Sequence, residues 1–253
     1  FRNLSLGTVW KMDWNGVKLK MNIHSFKDAV ATAEGIINEL IIPQTKAGKF
    51  TLAVSGGSTP RQLFELMAGD TYRNQIEWSN LFLYWVDERC VPPTDEQSNY
   101  GMTAKALRLE TLPLPKEQIF RIQGEDDPKE EAERYTALVE QNLPKAVSGL
   151  PQFDLIILGI GDDGHTSSIF PHQMHWLDER TPYVVAQHPS GQNRICLTGQ
   201  TILAAKKLAF HAVGKAKATI LQQIIDEAPE ALAYPSAYFV RHRTDLALYT
   251  DSL

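Results

Sequence analysis

Residues 153–171, FDLIILGIGDDGHTSSIFP, constrain the fold most tightly, because an apolar run breaks into glycines, two aspartates and a histidine within a few positions. Leu155, Ile156, Ile157 and Leu158 form a short continuous apolar segment, which suits a parallel strand covered on both faces. Gly159, Gly161 and Gly164 then let the backbone turn sharply and pass close to a ligand. His165 is the one side chain in the stretch whose unperturbed pKa lies near neutrality. Asp163, two residues earlier, sits where a loop can fold its carboxylate onto the ring. A buried strand in this arrangement delivers an acid–base pair into a cleft. The competing interpretation, a loop histidine merely satisfied by a neighbour, is outweighed by the coincidence of strand, glycines and paired acids.

The same strand-then-break pattern recurs along the chain. Alternation at Val17, Leu19, Met21 and Ile23 predicts a half-exposed strand, and the Ser25/Asp28 spacing predicts a capping box opening a helix to about residue 40. A strand at 50–54 ends in Ser55-Gly56-Gly57-Ser58-Thr59-Pro60, with Pro60 suited to the first turn of the following helix. A strand at 81–86 ends in Asp87-Glu88-Arg89. Helices are predicted at 98–107 and 128–143, short strands at 183–186 and 195–197, a buried strand at 208–213, a helix at 216–225 and a last strand at 246–249. Strands alternating with helices of this length predict right-handed crossovers, hence a doubly wound, mainly parallel α/β sheet with helices on both faces. No linker divides the 253 residues, so residues 1–253 are expected to form one domain with a small subdomain.

Bulk composition narrows the function. A hydrophobic content of 43% is ample for a sizeable core, and a formal net charge of −5 leaves no global basic field for nucleic acid or an anionic membrane. An anionic substrate would need a locally positive pocket. Cys90 and Cys196 are far apart, which argues against a disulfide framework and for a reducing setting. No run approaches the ~18 apolar residues of a membrane helix, and no basic segment precedes a hydrophobic signal core, so cytoplasmic residence is the expectation.

Four segments lie at strand ends, where open α/β sheets place their ligands. SGGSTP offers glycines, hydroxyls and a helix N-terminus to a phosphate. It is neither a Walker loop nor G-x-G-x-x-G, which removes the main support for nucleotide binding, and it also reads as a plain turn. Arg89 presents a planar fork to a phosphate or carboxylate, with a structural Asp–Arg pair as the equal alternative. The histidine loop is the third segment. Arg194, with the Gly214-Lys215-Ala216-Lys217 turn, is the fourth, although lysines at a helix start are commonly solvated. Cys90 beside Arg89 reads as a reduced core thiol rather than an activated one. Asp162, Asp163 and His165 lack any accompanying metal-ligand spacing, so no metal is expected.

Taken together, SGGSTP at 55–60, DER at 87–89, SNYGM at 98–102, LGIGDDGHTSSIFP at 158–171, RICLT at 194–198 and the G-x-x-K turn at 214–217 resemble the 6-phosphogluconolactonases. The order matches over nearly the whole chain. The resemblance implies a Rossmann-like sugar-phosphate fold related to the glucosamine-6-phosphate deaminases. It also implies cofactor-free hydrolysis of 6-phospho-D-glucono-1,5-lactone in the oxidative pentose phosphate pathway. Gly56, Gly57, Ser58 and Thr59 would hold the phosphate with Arg89, Arg194 and Lys217, and His165 would be the base, with Asp163 orienting it. Lys215 competes with Lys217 for the lysine role, the spacing favouring Lys217. The rival deaminase or isomerase reaction is disfavoured because those relatives carry a glutamate where this chain has Phe170. A silent sugar-phosphate sensor is disfavoured by the presence of both Asp163 and His165.

Overall fold

The computed structural model describes residues 5–12 and 18–253, with side chains from Met21 onward. Its strands are β1 (Ser5–Met12), β2 (Lys18–Ser25), β3 (Phe50–Val54), β4 (Leu81–Trp85), β5 (Asp87–Arg89), β6 (Ile119–Phe120), β7 (Leu155–Leu158), β8 (Tyr183–Gln187), β9 (Asn193–Leu197), β10 (Lys207–Ala212) and β11 (Ala247–Thr250). Eight of these form one sheet in the order β1-β2-β11-β10-β7-β3-β4-β6, and β5, β9 and β8 form a second. The β1–β2 pair is antiparallel, and every other pairing in the large sheet is parallel. β3 and β7 are buried at every residue, so the centre of the sheet is covered on both faces, as the unbroken apolar sequence of β7 predicts; the one polar residue of β3, Thr51, donates its hydroxyl to Asp154.

From β3 the chain winds outward through β4 and β6, returns to lay β7 on the other side of β3, and winds outward again through β10 and β11. That reversal is a topological switch point, and a crevice opens there at the carboxyl ends of the strands. SGGSTP leaves β3 and the histidine loop leaves β7, so the fold brings both to one place. The helix Ser58–Ala68 packs between the helices Ala29–Ile36 and Asn99–Leu107, burying Leu63, Phe64 and Met67. Each such side chain contributes roughly 1.5–3 kcal/mol when fully buried.

Several expectations are corrected. The first strand starts at Lys18 and its predicted residue Val17 lies outside the described residues; its antiparallel partner β1 was not anticipated. The following helix is capped by Asp28, which accepts from the Ala31 amide at 2.8 Å, rather than by Ser25, whose hydroxyl donates to the Leu253 carbonyl. It does not stop near residue 40 but continues through a π-turn, Ile37–Ile41, into Ile42–Ala47. Pro43 explains the π-turn: proline lacks an amide and crowds the carbonyl four residues back, and one widened turn relieves both defects. The helix predicted at 216–225 begins as a 3-10 turn, Lys215–Lys217, before the α-helix Ala218–Ile225.

β5, β9 and β8 make a separate three-stranded antiparallel sheet. β4 runs almost directly into β5, so DER is itself a strand, paired with β9. Two helices that the periodicity did not reveal, Gly199–Leu203 and Pro235–His242, also form. The start of the second braces the histidine loop, with the Ser236 amide donating to the Gly164 carbonyl at 3.0 Å. Among the described residues no helix is long and apolar enough to cross a membrane.

Candidate active site

The crevice at the β3/β7 reversal is a cleft of about 270 Å³. The loop leaving β3 forms one wall, contributing Gly56, Gly57, Ser58 and Thr59. The helix Ser58–Ala68 opens without a side-chain cap, so the orphan amides of its first turn are left for a ligand, together with the positive end of the helix dipole. Gly56 serves a purpose the sequence did not reveal. A Cβ there would stand 1.7 Å from the Asn99 Oδ1, so the glycine makes room for a neighbouring side chain rather than for a ligand. Asn99 in turn donates through Nδ2 to the Asp87 carbonyl at 2.9 Å, which ties the glycine loop to the DER strand.

Within DER the three side chains do different things. Glu88, 1% exposed, accepts from the backbone amides of Arg89, Asn99 and Tyr100 and from the Ser98 hydroxyl, and so anchors the start of the helix Asn99–Leu107. Burial pushes its carboxyl upward against those hydrogen bonds. Asp87 accepts from the Ser168 hydroxyl at 2.7 Å, while Arg89 donates to the Gln97 carbonyl, so the alternative Asp–Arg pair does not form. Arg89 faces the cleft directly opposite Arg194 in the β5–β9 ladder. The Nε of each is buried without a hydrogen-bond partner. Like charges opposed across a ladder destabilise it. Burial first, and then the Arg89 charge, pushes the Arg194 guanidinium below its ordinary value. The Asp87 and Glu88 carboxylates act in the opposite direction on Arg194.

On the other wall His165 lines the cleft with its Nδ1 2.5 Å from Asp163 Oδ1, and the same oxygen accepts the His165 amide at 3.1 Å. Desolvation raises the Asp163 carboxyl, but the ring and amide hydrogen bonds from His165 outweigh it and hold it down at about 2. With Nδ1 engaged, Nε2 is the nitrogen left for chemistry. Gly161 permits this packing, since a Cβ there would stand 2.1 Å from the His165 ring. Phe170 packs against His165, the two ring centroids 4.7 Å apart.

Lys217 lines the cleft and its ammonium contacts Asp162, whereas Lys215 is exposed and outside the lining. All of Gly56, Gly57, Ser58, Thr59, Arg89, Arg194, Lys217 and His165 thus surround one cleft, and Asp163 stands behind His165. Four further residues escaped the sequence analysis. Asn99 lay within SNYGM without an assigned role. Ser167 lines the cleft with a left-handed backbone, φ 52°, and its hydroxyl donates to the Val86 carbonyl. His188 packs edge-on against Phe170, ring centroids 5.2 Å apart, and is pushed below its ordinary value by burial, then by the charges of Arg194, His165 and Arg89. His211 lines the cleft floor. The one available signal for His211 was a polar ring inside the otherwise apolar run Leu208–Val213. Neither cysteine is activated: burial and then Glu88 raise Cys90 to about 11, and burial raises Cys196 to about 12.

Residues 27–248 match the family model described as glucosamine-6-phosphate isomerases/6-phosphogluconolactonase. The 6-phosphogluconolactonase of Haemophilus influenzae is 41% identical over 218 residues, covering 86% of this chain and 91% of its own. That of Treponema pallidum is 40% identical over 208 residues, covering 82% and 85%. The crystal structure of the devB protein superposes with a TM-score of 0.85 at 37% identity, covering 92% of this chain and 98% of the other. With a family match over most of its length and relatives this similar, the chain belongs to the glucosamine-6-phosphate isomerase/6-phosphogluconolactonase family.

Proposed function

We propose that this chain hydrolyses 6-phospho-D-glucono-1,5-lactone to 6-phospho-D-gluconate, as a lactonase of the oxidative pentose phosphate pathway. The observation that carries the reading is the pair of opposed, anion-seeking arginines, Arg89 and Arg194, in the same cleft as a carboxylate-tethered imidazole. Phosphate seats on loop 56–59 with Arg89, Arg194 and Lys217. Charge-assisted hydrogen bonds to phosphate are roughly twice as strong as neutral ones and fix the lactone relative to His165.

His165 Nε2 takes a proton from water as the water oxygen bonds to the lactone carbonyl carbon, and Asp163 steadies the resulting imidazolium. The tetrahedral intermediate then collapses with cleavage of the bond to the ring oxygen. His165 returns its proton to that oxygen, leaving an open-chain acid. A lactone is already activated, so water, a base and oriented donors suffice, and no cofactor is required.

Phe170 supports the lactonase over the amino-sugar reaction, because the position where the deaminases carry an acid is filled by an apolar ring packed on His165. Net charge of −5, with cations gathered in the cleft, supports a small anionic substrate over nucleic acid. Free thiols at Cys90 and Cys196 support cytoplasmic residence, and we take the chain to act as one domain whose small sheet walls the cleft. The test is turnover of freshly generated 6-phosphogluconolactone, corrected for spontaneous opening. Absence of enzyme-dependent opening, or steady ammonia release from glucosamine 6-phosphate, refutes the reading.

A further inference from the structure

His211, near the end of β10, is 3% exposed. It borders the cleft and also a small, mostly apolar pocket that adjoins it, walled by Val54, Leu63, Phe64 and Leu158. Ser55, Pro60 and Gly159 border both spaces, so the imidazole is part of the partition between them. Neither ring nitrogen has a hydrogen-bond partner. Burial holds the ring's pKa down at about 4, with Asp251 pulling the other way, so the ring is neutral at physiological pH. A neutral imidazole carries one N–H donor and one acceptor, and leaving both unpaired in the interior lowers stability. An apolar side chain would fill the position better, so the arrangement makes physical sense where a ligand later supplies the missing partner.

Room and direction are both available. One residue past the Phe210–Leu158 pairing, His211 sits beside Gly159, where an added side chain would meet nothing within 4 Å. Ser55 and the turn at Pro60, which line both spaces with His211, belong to loop 55–60 rather than to the His165 wall, and Asp251 is the charged group that acts on the ring.

We propose that His211 is a further substrate-binding residue: as the phosphorylated lactone seats, its imidazole turns over Gly159 and donates an N–H to a phosphate oxygen from beneath loop 55–59. The inference rests on the lactonase reading of the cleft. It adds a neutral donor to the cationic ones, in a position where a charged group would have to be desolvated in the free protein.

Titration of the full chain, ¹⁵N-labelled at histidine, with inorganic phosphate and with 6-phosphogluconate tests the contact directly. The His211 ring resonance, assigned by its loss in His211→Gln, is expected to shift and saturate with the ligand. A resonance unmoved at saturating 6-phosphogluconate overturns the proposal. In kinetics, His211→Leu is expected to melt at the same or a higher temperature while its KM for the lactone rises on the order of 10-fold, the scale of one lost hydrogen bond to a charged group. His211→Gln, which keeps an N–H, should recover part of that rise. A folded His211→Leu protein with unchanged KM overturns the proposal alone. Wild-type protein without lactonase turnover retires the functional reading instead. Should His211→Leu fail to fold, the wild-type titration decides.

Discussion

Asp163→Asn removes the charge 2.5 Å from His165 Nδ1 while keeping a side chain of nearly the same shape. In the proposed mechanism its effect appears when His165 takes the proton from water and becomes an imidazolium facing a carboxylate. Two unit charges 4 Å apart are worth about 1 kcal/mol in bulk water and about 4 kcal/mol at an effective dielectric of 20. His165 and Asp163 are 33% and 45% exposed, so the site lies between those limits and about 2 kcal/mol is a fair value. At about 1.36 kcal/mol per tenfold in rate, kcat is expected to fall roughly 30-fold. KM should hold, because the proposed phosphate site is untouched.

The assay follows 6-phosphogluconate formation at saturating lactone, beside a thermal melt. A correctly folded variant with kcat within about twofold of wild type refutes the role given to Asp163, since general-base catalysis that depends on it is worth far more. A second readout is acid stability. The folded-state carboxyl is held below its ordinary 3.8, at about 2, so it contributes stability above pH 4 that disappears as pH falls through about 2. The stability gap between wild type and Asp163→Asn should therefore close between those pH values. An unchanging gap in acid unfolding refutes the linkage.

Arg194→Met should raise KM for the phosphorylated lactone by about 10-fold or more, a charged hydrogen bond being worth about 1.5–3 kcal/mol. It should scarcely affect unphosphorylated gluconolactone, and the melt should not fall because a like-charge opposition is relieved; equal losses on both lactones refute phosphate binding by Arg194. Gly56→Ala forces a Cβ into Asn99, whose carboxamide would have to leave the Asp87 carbonyl, so we expect about 1–3 kcal/mol of destabilisation and a raised KM. A wild-type melt and wild-type KM refute that role for the glycine. Iodoacetamide at pH 8 should leave activity intact, since Cys90 at about 11 and Cys196 at about 12 remain thiols; stoichiometric inactivation would show otherwise.

Much of the fold was readable because its signals are local. The apolar runs of β3, β4 and β7 are each followed by glycine or charge, and strand identity follows from that run alone. The helix predicted at 128–143 forms as Pro128–Asn142, and the structure adds its cap, Asp127 accepting from the Lys129 and Glu130 amides. What escaped were elements whose stability comes from their neighbours. The short helices Gly199–Leu203 and Pro235–His242 are too brief to display a period, and β1 has meaning only against β2. The π-turn before Pro43 was missed because the apolar pattern continues through it.

The candidate site divides along the same line. Residue type and backbone chemistry, which a sequence states outright, determined a glycine–hydroxyl loop at a helix start, a histidine with a nearby aspartate, and cations at strand ends. Only the tertiary structure decided which atoms meet. Opposition of Arg89 and Arg194 requires the β5–β9 register, the purpose of Gly56 depends on Asn99, 43 residues away in the chain, and Lys217 reaches the cleft where Lys215 does not. The burial of His211 with both nitrogens unpaired arises where β10, β7 and the first turn of the helix Ser58–Ala68 converge. Local sequence governs backbone preference and hydrophobic period, but desolvation, charge opposition and cavity shape belong to groups distant in the chain, and those exist only once the sheet has closed its switch point.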